Sequence, residues 1–199
     1  SQATHLCVLL MVLALISIHA HKLFPQRDTT FTQQRFGLPL FWCGHAQLAV
    51  GLVILFGTQT THWLLDQIGN IFHIPADGIP LTTTVWVPGL LWLAGAYAYL
   101  YSDFAVRRIG VYLYLGALCL VMAEITLIGF ETLGYEGLIA TLAATATGIS
   151  LLTLVVGHEN DRFARAIPPL ALLLSLLPVL MGLVVHLRST SMTAAELGL

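Results

Sequence analysis

Charge is what this chain has least of. Its 199 residues include 8 Lys and Arg and 10 Asp and Glu, 9% charged in all, where a soluble domain carries about 25%. No basic run is present to serve as a nucleic-acid surface. Cysteine is scarce too: Cys7, Cys43 and Cys119 all lie in apolar stretches, which leaves no loop disulfide and no CxxC metal pair. The single lysine, Lys22, lies outside the apolar runs, so a Schiff base buried in mid-helix is excluded. There is no GxGxxG, Walker A, HExxH, CxxCH or GxSxG sequence, so soluble nucleotide chemistry and familiar intramembrane hydrolysis lack their signatures. The two halves share no motif beyond apolarity, which argues against an inverted-repeat transporter.

What is present is apolar: 57% of residues are hydrophobic and the mean hydropathy is +0.86. The expected fold is an all-α integral membrane bundle in contact with lipid. At about 20 residues per crossing, six transmembrane helices are predicted at 3–21, 37–57, 83–101, 109–130, 136–157 and 167–187, forming one domain over 1–199. Pro168 and Pro169 are expected to open the sixth helix, and Pro88 and Pro178 to kink their spans.

The basic residues orient the bundle. Lys22, Arg27 and Arg35 follow the first span, Arg107 and Arg108 the third, and Arg162 and Arg165 the fifth, with only Arg188 on the other side. The positive-inside rule then places these loops in the cytoplasm and both termini outside, as in a bacterial inner membrane. Ser1–His5 carries no Lys or Arg, and the basic residues follow the apolar run, which reads as an N-out anchor rather than a signal peptide. Ser1 is consistent with a removed initiator Met. The long connection at 58–82 is expected on the outer side, with helical spacing from His62 to Phe72 that suits a short interfacial helix or a cap.

Eight histidines lie at or near the ends of the apolar runs. Imidazole binds haem iron and other transition metals. On the expected topology His5, His62, His73 and His186 form an outer layer, and His19, His21, His45 and His158 an inner one. His5 and His19 share a helix face about 21 Å apart. Pairing His19 with His45, and His5 with His186, would hold two b-type haem irons, one near each membrane surface. His21, His62, His73 and His158 are expected at the interface, with their rings among headgroups. Gly44, beside His45, would let a macrocycle or a second helix approach closely.

Glu124 lies in the fourth apolar run, where an ionised carboxylate is costly unless paired. It is the candidate catalytic residue, a proton acceptor for quinol with Glu131 on nearly the same face; the plainer reading is one hydrogen bond to a Tyr, Thr or His. Tyr101 and Tyr112 fit an interfacial aromatic belt, and Trp92 and Tyr97 are expected to face lipid more readily than a cofactor. Ala140, Ala144 and Gly148 make a small-residue face for helix packing. These residues suggest an electron-transfer subunit binding haem b, reacting with quinone or quinol alongside other membrane subunits of a respiratory or oxidase-type complex. The alternatives are a non-catalytic accessory subunit and a small channel or transporter.

Overall fold

The computed structural model describes residues 2–26, 31–72, 86–156 and 161–196, without the side chains of 63, 66–72, 129–135, 152–156, 161–164 and 188–196. Every regular element among them is helical. Helix α1 (Gln2–Ala20) closes with a 3-10 turn, His21–Leu23, and a π-helical turn, Gln33–Gly37, leads into α2 (Leu38–Phe72). Helix α3 (Trp86–Tyr101) closes with a second π-helical turn, Ser102–Val106, before α4 (Gly110–Val156) and α5 (Asp161–Glu196). Among the described residues four segments, against the six expected, are long and apolar enough to cross a bilayer: Gln2–Leu23, Gln33–His62, Gly110–Ile128 and Arg165–Leu187. The chain is an integral membrane protein on that ground.

The helix boundaries have local causes. Phe24 adopts extended backbone (φ −86°, ψ 133°) after the 3-10 turn, as expected of a residue preceding a proline, here Pro25. Thr32 opens the turn into α2, its hydroxyl accepting from the Arg35 N–H at 3.3 Å, which satisfies one of the donors a helix start leaves open. Arg107 ends the turn after α3 in extended backbone (φ −147°, ψ 118°) while its N–H donates to the Ser102 carbonyl at 2.9 Å.

Contacts divide the chain into two compact units, Ser1–Ala123 and Glu124–Leu199. In the first, α1 buries Cys7, Met11, Ala14 and Ile18, and α2 buries Phe41, His45, Leu48, Leu52 and Leu55. Both series step by three or four residues, so each is one helical stripe. The two stripes meet at Gly44, where an added Cβ would stand 2.9 Å from both the Ala14 carbonyl oxygen and Cγ1 of Ile18. Helix α3 adds Leu91, Trp92, Ala96, Ala98 and Tyr99 to the same core, and the start of α4 adds Tyr112, Cys119 and Ala123.

In the second unit, the Thr145 hydroxyl lies 2.9 Å from both Glu124 carboxylate oxygens, its one hydrogen donated between them. In a straight helix residues 21 apart stand about 31 Å apart, so the chain turns back on itself within α4 between them. Leu138, Leu142 and Ala146 form the buried face of the returning segment. Ala140, Ala144 and Gly148 are exposed, so the expected small-residue face is not the one that packs within this chain.

Other expectations need correcting. Residues 58–72 do not form a separate short helix but prolong α2. The Thr60 and Thr61 hydroxyls return to the Phe56 and Gly57 carbonyls at 2.8 Å, so these threonines ride on the helix without interrupting it. The rest of the 58–82 connection, from 73 on, lies outside the described residues. Pro168 and Pro169 do not open a helix, because α5 begins at Asp161 and holds both in its interior with Pro178. Pro88 falls in the first turn of α3, where a missing N–H removes no helical bond and gives no cause for a kink.

The fit at Gly44 sets the first prediction. Gly44→Val should force α1 and α2 apart, at a cost of about 1–3 kcal/mol for overpacking. Thermal unfolding of the detergent-purified variant should show a lower midpoint, and an unchanged midpoint would mean the helices do not meet there.

Candidate functional site

Three helical histidines of the first unit anchor Nδ1 on a carbonyl of the preceding turn. His19 bonds Leu15 at 2.8 Å, His21 bonds Ile18, and His45 bonds Phe41 at 3.0 Å. With Nδ1 carrying the hydrogen in such a bond, Nε2 keeps the lone pair. What Nε2 meets differs from one histidine to the next.

At His19, Nε2 is bonded to the Tyr97 hydroxyl at 2.9 Å, and the ring stacks on Tyr101 with centroids 4.5 Å apart. Both nitrogens are therefore engaged. Lys22 holds its ammonium 4.9 Å from the centre of the Tyr101 ring, a cation–π contact that extends this group. His19 and Tyr97 thus satisfy each other, with Tyr101 stacked on the imidazole and Lys22 over Tyr101.

His45 is different. It is buried, and Nε2 has no hydrogen-bond partner. Its ring is walled by Phe41 at 4.4 Å, Tyr112 at 4.9 Å and Tyr99 at 5.9 Å between centroids. The Tyr112 hydroxyl is also buried without a partner. Two adjacent rings thus each hold an unused polar atom, and a buried polar group left unsatisfied costs about 1–3 kcal/mol.

Several aromatic and histidine expectations change. His21 is 4% exposed and packs against Phe41 at 5.3 Å, so its ring lies in the protein and not among headgroups. Tyr112 is 6% exposed and belongs to the core, not to an interfacial belt. Trp92 faces the interior rather than lipid, donating from Nε1 to Oε1 of Gln59 at 2.8 Å. Gly44 serves helix contact. His62 is half-buried, and His73 and His158 lie outside the described residues.

Of the predicted ligands, the structure places His19 and His45 in one unit but does not leave both free: His19 has both nitrogens occupied. His5 is exposed in the first unit, and His186 is exposed in the second. Among the described residues no group of three or more His, Cys, Asp or Glu side chains gathers to hold a metal ion. Glu124 is half-buried and accepts the Thr145 hydroxyl hydrogen between its two carboxylate oxygens; the side chain of Glu131 lies outside the described residues.

Sequence reasoning missed Tyr99, Tyr112, His21 and Phe41. The alternation Tyr97, Tyr99, Tyr101 held a signal: in a helix, i and i+4 share a face while i+2 turns away. Tyr97 and Tyr101 accordingly lie together beside His19, and Tyr99 lies beside His45. Comparison with protein-family models, curated proteins and solved structures finds no match to this chain.

The Glu124–Thr145 pair makes a second prediction. Thr145→Val removes the donor and leaves the carboxylate without it, destabilising the protein by about 1–3 kcal/mol. Glu124→Gln, which keeps a hydrogen-bonding amide of the same shape, should cost less. Paired denaturation curves in detergent would read both, and a Thr145→Val curve identical to the parent would show that the bond carries no stability.

Proposed function

We propose that this chain is a membrane electron-transfer subunit of a larger respiratory or oxidase-type complex, with His45 as the imidazole that holds a b-type haem. In this reading six segments cross a bacterial inner membrane and both termini lie outside. The observation that carries it is the unused Nε2 of His45, buried, with Nδ1 anchored on the Phe41 carbonyl. Histidines that ligate metals characteristically commit the other ring nitrogen to such a partner, which fixes the tautomer and the ring.

The fit is partial. His45 offers one axial nitrogen. His19 would have to release Tyr97 before it offered another, and the rings around His45 would have to part to admit a macrocycle. A bound haem would supply a one-electron couple. The chain's own part is to fix the His45 ring through Phe41 and to keep the Tyr112 hydroxyl beside it, available to a quinol oxygen. Glu124, on its own unit, remains the candidate proton acceptor.

A second reading, the non-catalytic accessory subunit, is favoured by the satisfied polar contacts elsewhere. His19 and Glu124 both have partners within the chain.

The spectrum of the complex purified with its partners separates the two. A Soret band that is lost or shifted in His45→Ala, and retained in His21→Ala, is expected. A colourless complex, or a His45→Ala spectrum identical to the parent, rejects haem ligation by His45 and leaves the accessory reading. Topology is checked separately by labelling single cysteines placed at Ser1 and Leu199. Both should react from the periplasm, and cytoplasmic labelling of either means an odd number of crossings between them or an inverted bundle.

A further inference from the structure

A cavity of about 640 Å³ opens where α1 ends, α2 begins and the turn after α3 comes back. Among the described residues its polar lining is His21, Lys22, Gln26, Gln33, Gln34 and Arg107, with no carboxylate. The remainder is apolar, chiefly Phe24, Leu38 and Val106. Gly37 lets its walls come together: a Cβ there would stand 2.9 Å from the His21 carbonyl oxygen.

The lining is built for a ligand that is anionic at one end and apolar at the other. Neither Lys22 nor Arg107 forms an ion pair among the described residues. Lys22 is held over Tyr101, a contact that positions the ammonium and leaves its charge in place. His21 is 4% exposed, and its single hydrogen bond uses Nδ1. Two cations, three carboxamides and a buried imidazole thus converge, with no carboxylate among the described lining residues to neutralise them. The location narrows the ligand further. The cavity joins the end of the crossing segment Gln2–Leu23 to the start of Gln33–His62, which sets it at headgroup depth.

From this we infer that the cavity is a binding site for the phosphate headgroup of an anionic phospholipid. Lys22 and Arg107 meet the phosphate, the carboxamides meet its ester and glycerol oxygens, and the acyl chains leave along the apolar wall. Arg and Lys are the side chains suited to phosphate, and basic pockets at helix ends on the cytoplasmic side are suited to lipid headgroups. The inference stands apart from the His45 proposal, since it requires no haem and no quinol.

The test uses the full chain in detergent, titrated with phosphatidylglycerol or phosphatidylcholine and read by native mass spectrometry. Phosphatidylglycerol should bind in preference. Lys22→Gln and Arg107→Gln should each weaken it about fivefold, whereas Arg165→Gln, outside the cavity, should not. Val106→Trp fills the space without changing charge and should also weaken binding. If that variant does not purify, the Gln33→Leu and Gln34→Leu pair, which removes two of the carboxamides without changing charge, should weaken binding in its place. Equal binding of the two lipids overturns the inference, as does equal weakening by Arg165→Gln, which would mark diffuse surface attraction. Displacement of the lipid by inorganic phosphate would assign the site to a free anion instead.

Discussion

At Gly44 the backbone of α2 lies so close to α1 that an added methyl would press on the Ala14 carbonyl and on Ile18. Lipid tails are as apolar as the helices they surround, so association inside a bilayer depends on close packing and small residues more than on the exclusion of water. That contact sets much of what surrounds it. Phe41 and His45 flank Gly44 on α2, and with α1 drawn in, both become core residues. Phe41 then has His21 of the α1 end on one ring contact and His45 on another. The aromatic group of the first unit is built outward from there, through Tyr112 and Tyr99.

The histidines show how one local device yields different chemistry. An Nδ1 bond to the preceding turn recurs at His19, His21 and His45, and it needs nothing but the helix itself. It satisfies one nitrogen and leaves the fate of Nε2 to tertiary structure. At His19 a tyrosine on α3 supplies the partner. At His45 two tyrosines lie close by and neither supplies one. The difference between a paired imidazole and an unpaired one here is the placement of a single hydroxyl.

The sequence made the helical, membrane-embedded character plain, because low charge and long apolar runs follow directly from the solvent. It placed a loop at 131–135, whereas those residues are helical within α4, and the reversal is marked only by the contact between Glu124 and Thr145. Proline was less legible: whether Pro168 opens a helix or lies inside it depends on how far the preceding turns extend, and apolarity says little about polar turns such as Asp161–Arg165. Side-chain environment was the least legible. Tyr112 and His21 lie near the ends of apolar runs, where an interfacial ring is the ordinary outcome. Their burial comes from the convergence of α1, α2, α3 and the start of α4, which no single segment encodes. Trp92 was misread for the same reason, its partner Gln59 being 33 residues away.

His45 and the basic cavity share one residue, Phe41, which lines the cavity and touches the His45 ring. The two places nevertheless differ in chemistry. The cavity is open, cationic and bordered by carboxamides that water can satisfy when no lipid is present. The His45 ring is buried among aromatic rings, which leave two polar atoms short of partners. Water entering the cavity costs little, but a buried donor or acceptor beside His45 has no such recourse unless something enters with it. A chain that pairs the similar imidazole of His19 through Tyr97 has a ready means of satisfying His45, with Tyr112 adjacent. That it leaves both atoms unused sets His45 apart from His19, and it is on this contrast that the proposed ligand-binding role rests.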